Sequence, residues 1–201
     1  MIEKYLRPLY QKVAVCPALS IIEKYTDWMP SHITFLSVVF GLVSAVFISF
    51  HSLWLSSIFL LLSGYCDTLD GSLARQQNTS SAKGAVLDIV GDRVVEAAII
   101  FGLFLVAPQV RGITALLMLA SCMICVTTFL VVGLFVDNNS SKSFYYSDGL
   151  IERPEAFVFF IMMIWLPNWF VVLSVVFSIL VLWTSVVRVC QFLWGNRVFS
   201  N

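Results

Sequence analysis

Charged residues are scarce in this sequence. Asp, Glu, Lys and Arg make up only 12% of its 201 residues, whereas 59% are hydrophobic, and the mean hydropathy is +0.90. So few charges cannot cover the surface of a water-soluble globule of this length. Twelve cations balance twelve acids, so there is no excess of positive charge of the kind that binds nucleic acid. The composition therefore indicates a protein that lies among membrane lipids, with no nucleic-acid partner.

The sequence also lacks the short alternating segments of a membrane β-barrel. It has instead long uncharged runs, and residues 33–50, 112–136 and 169–187 form runs of eighteen, twenty-five and nineteen residues. A helix needs about 20 apolar residues to cross a hydrocarbon core of about 30 Å. Three weaker candidates are residues 52–66, 84–107 and 154–166. We therefore predict an all-α integral membrane protein with six transmembrane helices, numbered here as predicted helices 1–6.

Paired cysteines are not evident either, because the five cysteines are an odd number and lie mostly in apolar segments. Cys122 and Cys125 have the spacing of a redox motif but no His or charged neighbour. We expect them to act as small hydrophobic packing residues.

Positive charge is nearly absent from one set of loops. His51 follows predicted helix 1, Arg111 follows predicted helix 3, and no Lys or Arg follows predicted helix 5. Almost all other Lys and Arg residues belong to the opposite set of loops and to the termini. Because cationic loops stay in the cytoplasm, we predict a multi-pass protein of the cell (inner) membrane with both termini in the cytoplasm.

Residues 1–29 are too polar to span a membrane. They mix four cations with spaced apolar residues, a pattern typical of an amphipathic helix on the membrane surface. They lack the uninterrupted apolar core of a cleavable signal peptide. We predict an N-terminal amphipathic juxtamembrane helix in residues 1–29 and a transmembrane domain in residues 30–201. A small cytosolic cap packed on the helix bundle is the alternative.

Acidic residues are concentrated in one window, residues 66–97. This window holds five of the twelve acids in the chain: Asp67, Asp70, Asp88, Asp92 and Glu96. A lone carboxylate inside a bilayer costs about 2.5 kcal/mol or more. The local cations are only three (Arg75, Lys83 and Arg93), so pairing alone cannot neutralise the acids.

The spacing of these acids predicts a metal site. Asp67 and Asp70 are three residues apart at the end of predicted helix 2, and Asp88 and Asp92 are four apart near the start of predicted helix 3. Each pair therefore shares one helix face. Since a short turn makes the two helices antiparallel neighbours, the four carboxylates should meet near the cytoplasmic interface. Oxygen ligands in this number suit Mg²⁺, Mn²⁺ or Ca²⁺, and the charge could hold two ions.

Small residues and one arginine lie beside these acids. Gly71, Ala74 and Gly84 would let a ligand approach the backbone closely. Arg75 offers a guanidinium suited to phosphate oxygens. Together these features indicate a metal-assisted site for pyrophosphate chemistry.

The order Asp67-x-x-Asp70-Gly71-x-x-Ala74-Arg75, eight residues, Gly84-x-x-x-Asp88-x-x-x-Asp92 resembles the signature of the CDP-alcohol phosphotransferase (CDP-alcohol phosphatidyltransferase) family. The resemblance implies a homodimeric membrane enzyme with two divalent cations, Mg²⁺ or Mn²⁺, held by the four aspartates. It further implies that Asp92 is also the general base that acts on the acceptor hydroxyl. The positions that correspond to contacts with the CDP substrate are Ser31, His32, Gly71, Ala74, Arg75, Ser81 and Gly84. Ser31 stands where the family commonly has Asp or Asn.

The segments GAVLDIVGDRVVEA and GLIERPE resemble the branch of phosphatidylinositol-phosphate synthases. That resemblance implies that Arg153 and Arg188 bind the phosphate of the acceptor. The branch usually has a Lys-Ala-Arg motif late in helix 4, where this chain reads TTFLVVGLFVDNN, and Lys142 is the available substitute. The acceptor is therefore left open between inositol phosphate, glycerol phosphate and another polar alcohol.

The function that follows from this resemblance is transfer of a phosphatidyl group from CDP-diacylglycerol to a polar alcohol, with release of CMP. A transferase that uses CDP-choline or CDP-ethanolamine with diacylglycerol is the alternative within the family. A cation transporter and a scaffold without activity are the more distant alternatives. The acids lie near one interface and not along a path through the bilayer, which disfavours a transporter.

Overall fold

The computed structural model describes residues 15–25, 28–77, 79, 81–135 and 153–195, and this part of the chain is helical. The helices are α1 (Cys16–Tyr25), α2 (Pro30–Ser49), α3 (Leu53–Gln76), α4 (Ala82–Leu105), α5 (Pro108–Phe135), α6 (Arg153–Trp165) and α7 (Phe170–Gly195). A short 3₁₀ turn, Pro167–Trp169, precedes α7. Pro30 and Pro108 begin their helices, where a missing N–H costs nothing.

The prediction of an all-α membrane protein is confirmed. In the part of the chain that the structure describes, three helical segments are long and apolar enough to cross a membrane: Pro30–Ser49, Pro108–Phe135 and Pro167–Trp194. Helices α3 and α4 have 24 residues each, or about 36 Å, but both carry charges. The 13 residues of α6 extend about 20 Å. The count of six spans therefore stays a prediction.

Only part of the predicted N-terminal amphipathic helix can be compared with the structure, because residues 1–14 and 26–27 lie outside the described residues. Val15 and Leu19 pack against side chains of α2 and α3. This contact corresponds to the alternative of a cap on the bundle, and the position of the segment on a membrane surface stays a prediction.

The chain divides into two compact units, Met1–Val106 and Ala107–Asn201. In the first unit, α2 packs against both α3 and α4. Two glycines allow the backbones of α2 and α4 to approach closely. A Cβ added at Gly41 would lie 2.5 Å from Val95 Cγ2, and one added at Gly102 would lie 2.6 Å from the carbonyl oxygen of Ala45.

Buried serines set the register of α2 against α3. Ser37 Oγ donates to the carbonyl oxygen of Ser63 at 2.8 Å, and Ser44 Oγ donates to that of Ser56 at 2.7 Å. Both steps are seven residues, in opposite chain directions, so α2 and α3 are antiparallel neighbours. The same register places the first turn of α2 beside the acid-bearing end of α3.

In the second unit, α7 packs against α5 and α6. Arg111 lies in the first turn of α5 and not in the loop that the sequence predicted. Its guanidinium is buried, donates to the carbonyl oxygen of Pro167 at 3.4 Å and lies 4.4 Å from the ring centroid of Phe170. Arg111 can lie inside α5 because groups within this unit compensate its charge.

Candidate active site

Three of the four predicted metal ligands lie together where the end of α3 meets the start of α4. One carboxylate oxygen from each of Asp67, Asp70 and Asp88 lies within 4.8 Å of the other two. The two helices bring them together because α2 packs against both. We call these three side chains the carboxylate cluster.

Asp70 is the most buried member of the carboxylate cluster. Its side chain belongs to a residue that is 5% exposed, and its Oδ2 has no hydrogen-bond partner among the described residues. A buried polar atom without a partner is costly, and three carboxylates at this separation repel one another. A divalent cation with oxygen ligands would relieve both costs, so the donor set fits Mg²⁺ or Mn²⁺.

Thr34 is a neighbour of Asp70 that the sequence analysis did not assign to the site. Its hydroxyl donates to the carbonyl oxygen of Pro30 at 3.1 Å and also lies beside the Asp70 carboxyl. The signal was present in the PSHIT segment, of which Thr34 is the last residue. Its partner on α3 could be identified only once the α2–α3 register was known.

Asp92 lies one turn beyond Asp88 on α4 and is partly buried. It is not a member of the 4.8 Å group that forms the carboxylate cluster. Its predicted roles as fourth ligand and general base stay predictions. Glu96, one further turn along, forms a salt bridge with Arg93 on the same helix, while the buried Nε of Arg93 has no hydrogen-bond partner among the described residues.

Arg75 and Gly71 lie on α3 beyond the cluster. Arg75 is exposed, and its Nη2 donates to Ser72 Oγ at 3.1 Å. A Cβ added at Gly71 would meet only the Arg75 guanidinium, at 3.5 Å, which is ordinary contact. The packing of the described residues thus does not require glycine at position 71, in contrast to Gly102. Space at Gly71 is what a substrate approaching the cluster would need.

Four of the five remaining predicted donor-site residues lie at two helix starts. Ser81 is the N-cap of α4, and its Oγ accepts from the Gly84 amide at 3.2 Å. Ser31 and His32 are exposed in the first turn of α2, where His32 Nδ1 accepts from the Met29 amide at 3.4 Å. Helix starts present amide N–H groups that favour phosphate groups. Ala74 is one turn beyond Gly71 and is partly buried.

The two predicted acceptor residues lie in the second unit. Arg153 begins α6, and its guanidinium lies 5.7 Å from the ring centroid of Phe157. Arg188 of α7 donates to the carbonyl oxygen of Cys125 at 3.0 Å and lies over the ring of Phe129. Arg188 thus contacts α5 near the segment where the synthase branch usually has its Lys-Ala-Arg motif. Lys142 lies outside the described residues.

Comparison with known proteins identifies the family. Residues 27–190 match the family model described as CDP-alcohol phosphatidyltransferase. The chain is 28% identical over 196 residues to the inner membrane protein YnjF of Escherichia coli strain K12, covering 94% of each. It is 30% identical over 131 residues to phosphatidylinositol phosphate synthase of Mycobacteroides abscessus, covering 64% of this chain but only 58% of that synthase.

A solved structure shows the same fold. The phosphatidylinositol phosphate synthase of Mycobacterium tuberculosis with CDP-DAG bound superimposes with a TM-score of 0.74 at 19% identity, covering 89% of this chain and 93% of that one. The same enzyme in complex with manganese and citrate gives a TM-score of 0.73 at 18% identity, covering 90% and 89%. Since the family model spans most of the sequence and includes the carboxylate cluster, the chain belongs to the CDP-alcohol phosphatidyltransferase family.

Proposed function

We propose that the protein is a metal-dependent phosphatidyltransferase of phospholipid synthesis. It transfers the phosphatidyl group of CDP-diacylglycerol to a hydroxyl of a polar alcohol and releases CMP. The carboxylate cluster carries this proposal, because three acids from two helices converge and the buried Oδ2 of Asp70 lacks a partner. The name of the mycobacterial synthase and its structure with CDP-DAG support the choice of donor.

Two divalent cations, Mg²⁺ or Mn²⁺, would be held by Asp67, Asp70, Asp88 and Asp92. When bound, such ions neutralise the charge of a diphosphate and make its phosphorus more electrophilic. The structure of the mycobacterial synthase with manganese supports this choice of metal.

The side chains of this protein have separate tasks in the proposed reaction. Asp92 removes the proton of the acceptor hydroxyl as that oxygen attacks the phosphorus, and CMP leaves. The exposed Arg75 binds phosphate oxygens of the donor, because its guanidinium already lies beside the open position at Gly71. The other residues of the proposed CDP pocket are Ser31, His32, Ala74, Ser81 and Gly84.

Arg153 and Arg188 are proposed to bind the phosphate of the acceptor, which would be an inositol-phosphate or glycerol-phosphate-like alcohol. Arg188 has contacts with α5 that hold its guanidinium in place. A fixed guanidinium loses little entropy when it binds phosphate.

The proposed location is the inner membrane, with the active site and both termini facing the cytoplasm. The Escherichia coli relative is named as an inner membrane protein, and the distribution of cations supports the orientation. We also propose that residues 30–201 form the catalytic domain and that the enzyme is a homodimer, as the family resemblance implies.

The test is release of CMP by the purified protein from CDP-diacylglycerol, with inositol phosphate, glycerol phosphate or inositol as acceptor. We expect a new phospholipid with one acceptor, loss of activity in EDTA and recovery with Mg²⁺ or Mn²⁺. Undiminished turnover in chelator would contradict metal dependence. Activity only with CDP-choline or CDP-ethanolamine and diacylglycerol would contradict the donor, and cation flux in proteoliposomes without CMP release would indicate a transporter.

A further inference from the structure

Helix α1 packs against the part of α3 that carries Asp67 and Asp70. Val15, just before α1, and Leu19 are 1% and 5% exposed, so neither side chain is available to a lipid surface. They belong to a buried apolar cluster whose other members come from the start of α2 and the end of α3: Ile33, Cys66, Leu69 and Leu73.

Along one turn of α3, members of this apolar cluster alternate with the acids proposed to bind the metal. Cys66 directly precedes Asp67, and Leu69 directly precedes Asp70. Successive side chains of an α-helix differ in direction by about 100°. One side of this turn therefore contacts α1 while the adjacent side presents carboxylates to Asp88 of α4.

The carboxylate cluster contains an internal repulsion that such packing would oppose. Three carboxyl groups each place an oxygen within 4.8 Å of the other two, and Asp70 Oδ2 accepts no hydrogen bond among the described residues. Packed protein interiors have few voids and transmit displacements between neighbouring side chains. A void opened in this apolar cluster would let the turn of α3 move, and the two aspartates would move with it.

We infer that α1 is a positioning element of the metal site and that Leu19 is the positioning residue through which it acts. The apolar contact between α1 and α3 keeps Asp67 and Asp70 at the separation from Asp88 at which one cation can be shared. This inference rests on the proposed function only in that the carboxylate cluster binds a divalent cation.

The test measures Mn²⁺ binding directly, by the electron paramagnetic resonance signal of free Mn²⁺ during titration of the full chain in detergent. Leu19→Ala should raise the dissociation constant about tenfold, the lower end of the loss seen when groups that orient metal ligands are changed. The Mn²⁺ concentration for half-maximal CMP release should rise in parallel. Saturating Mn²⁺ should restore turnover, and the KM for the alcohol should not change.

Leu60→Ala is the matched control. Leu60 is fully buried on the same helix, and its nine-residue separation from Leu69 corresponds to about 13 Å along the axis. This variant should lose stability yet keep the Mn²⁺ affinity of the unchanged protein. Leu19→Met, which nearly preserves the side-chain volume, should restore the affinity.

Two results would overturn the inference: unchanged Mn²⁺ affinity in Leu19→Ala, or an equal loss in Leu60→Ala. If Leu19→Ala does not fold, the smaller truncation Leu19→Val is measured in the same way and judged by the same two results. A protein that binds Mn²⁺ but releases no CMP would contradict the proposed function, while the Mn²⁺ affinities of the variants would still decide the role of Leu19.

Discussion

At the scale of single residues, the most informative feature of the site is a buried carboxylate oxygen that lacks a hydrogen-bond donor. The Oδ2 atom of Asp70 is buried without a hydrogen-bond donor in the described residues, although the Thr34 hydroxyl lies beside the same carboxyl. An ordinary structural aspartate in such a position would be paired or hydrogen bonded. The missing donor is therefore best explained by an ion that completes the site.

Asp92→Asn tests the proposed base. Asparagine keeps the size of the side chain and one oxygen ligand but cannot accept the proton, so turnover should fall about 10²–10⁴-fold, the usual worth of a general base. Affinity for CDP-diacylglycerol should fall much less, because Asp67, Asp70 and Asp88 form a cluster without Asp92. The measurements are CMP release and donor binding on the same preparation. Turnover above about a tenth of normal would make Asp92 a ligand only, since losing a base costs more than that.

Arg75→Ala and Arg153→Ala should affect different substrates. Arg75 lies beside Gly71, so its loss should raise the KM for CDP-diacylglycerol. The loss of Arg153 should raise the KM for a phosphorylated acceptor more than for a neutral alcohol. Steady-state kinetics with both acceptor types provide the comparison, and equal effects on the two would rule out Arg153 as a phosphate ligand.

The sequence predicted this part of the site because the chemistry is local. Asp67 and Asp70 share a helix face through their spacing alone. The Thr34–Asp70 contact joins residues from two helices, so no local pattern contains it. The same reason explains why Asp92 could be assigned from the signature while its distance from the cluster could not.

At the scale of helices, two glycines should behave differently when replaced by alanine. Gly102→Ala places a Cβ 2.6 Å from the carbonyl oxygen of Ala45, so α2 and α4 must separate, at a cost of about 1–3 kcal/mol. Gly71→Ala meets only the Arg75 guanidinium at ordinary contact distance, and alanine is the better helix former by about 0.5–1 kcal/mol.

The expected result is a lower unfolding temperature for Gly102→Ala and an unchanged or slightly higher one for Gly71→Ala. Gly71→Ala should instead weaken donor binding, because its Cβ fills the space proposed for the substrate. Thermal unfolding in detergent and the KM for CDP-diacylglycerol check both parts. Normal kinetics in Gly71→Ala would mean that the donor does not approach this position.

The sequence predicted the bounds of a helix where they coincide with the ends of an uncharged run. It did not predict them where a charged side chain lies inside the helix and is compensated by neighbouring groups. Arg111 marked the end of an uncharged run, yet α5 begins before it, because the Pro167 carbonyl and the Phe170 ring accommodate the guanidinium. The start of α6 at Arg153 follows the prediction within one residue. A charged residue thus marks the end of a membrane helix only when no group within the protein compensates its charge.

At the scale of the whole molecule, the number of helices that cross the membrane determines which turns lie on each side. Within the described residues, three segments have the length and composition to cross a membrane, and α6 is short. If all of α4, α5 and α6 cross, the turn containing Thr79 and the turn containing Asn168 lie on opposite sides.

Thr79→Cys and Asn168→Cys test this topology. Both residues are exposed, and the five native cysteines would first be replaced so that each variant has a single thiol. A membrane-impermeant maleimide should label Thr79→Cys in inverted vesicles and Asn168→Cys in right-side-out vesicles or intact cells. Labelling of both thiols from one side would contradict the six-span topology.

The serine contacts between α2 and α3 have a consequence for how this family member can vary. Ser37 and Ser44 donate to main-chain carbonyl oxygens of Ser63 and Ser56, and every residue has such an oxygen. The hydrogen bond from Ser44 therefore depends on the side chain at position 44 and not on the one at position 56, whereas Ser37 Oγ also lies 3.4 Å from Ser63 Oγ. Position 56 can therefore change to another residue small enough for its buried site and still accept this hydrogen bond, whereas position 44 can change only to another hydroxyl residue without losing it.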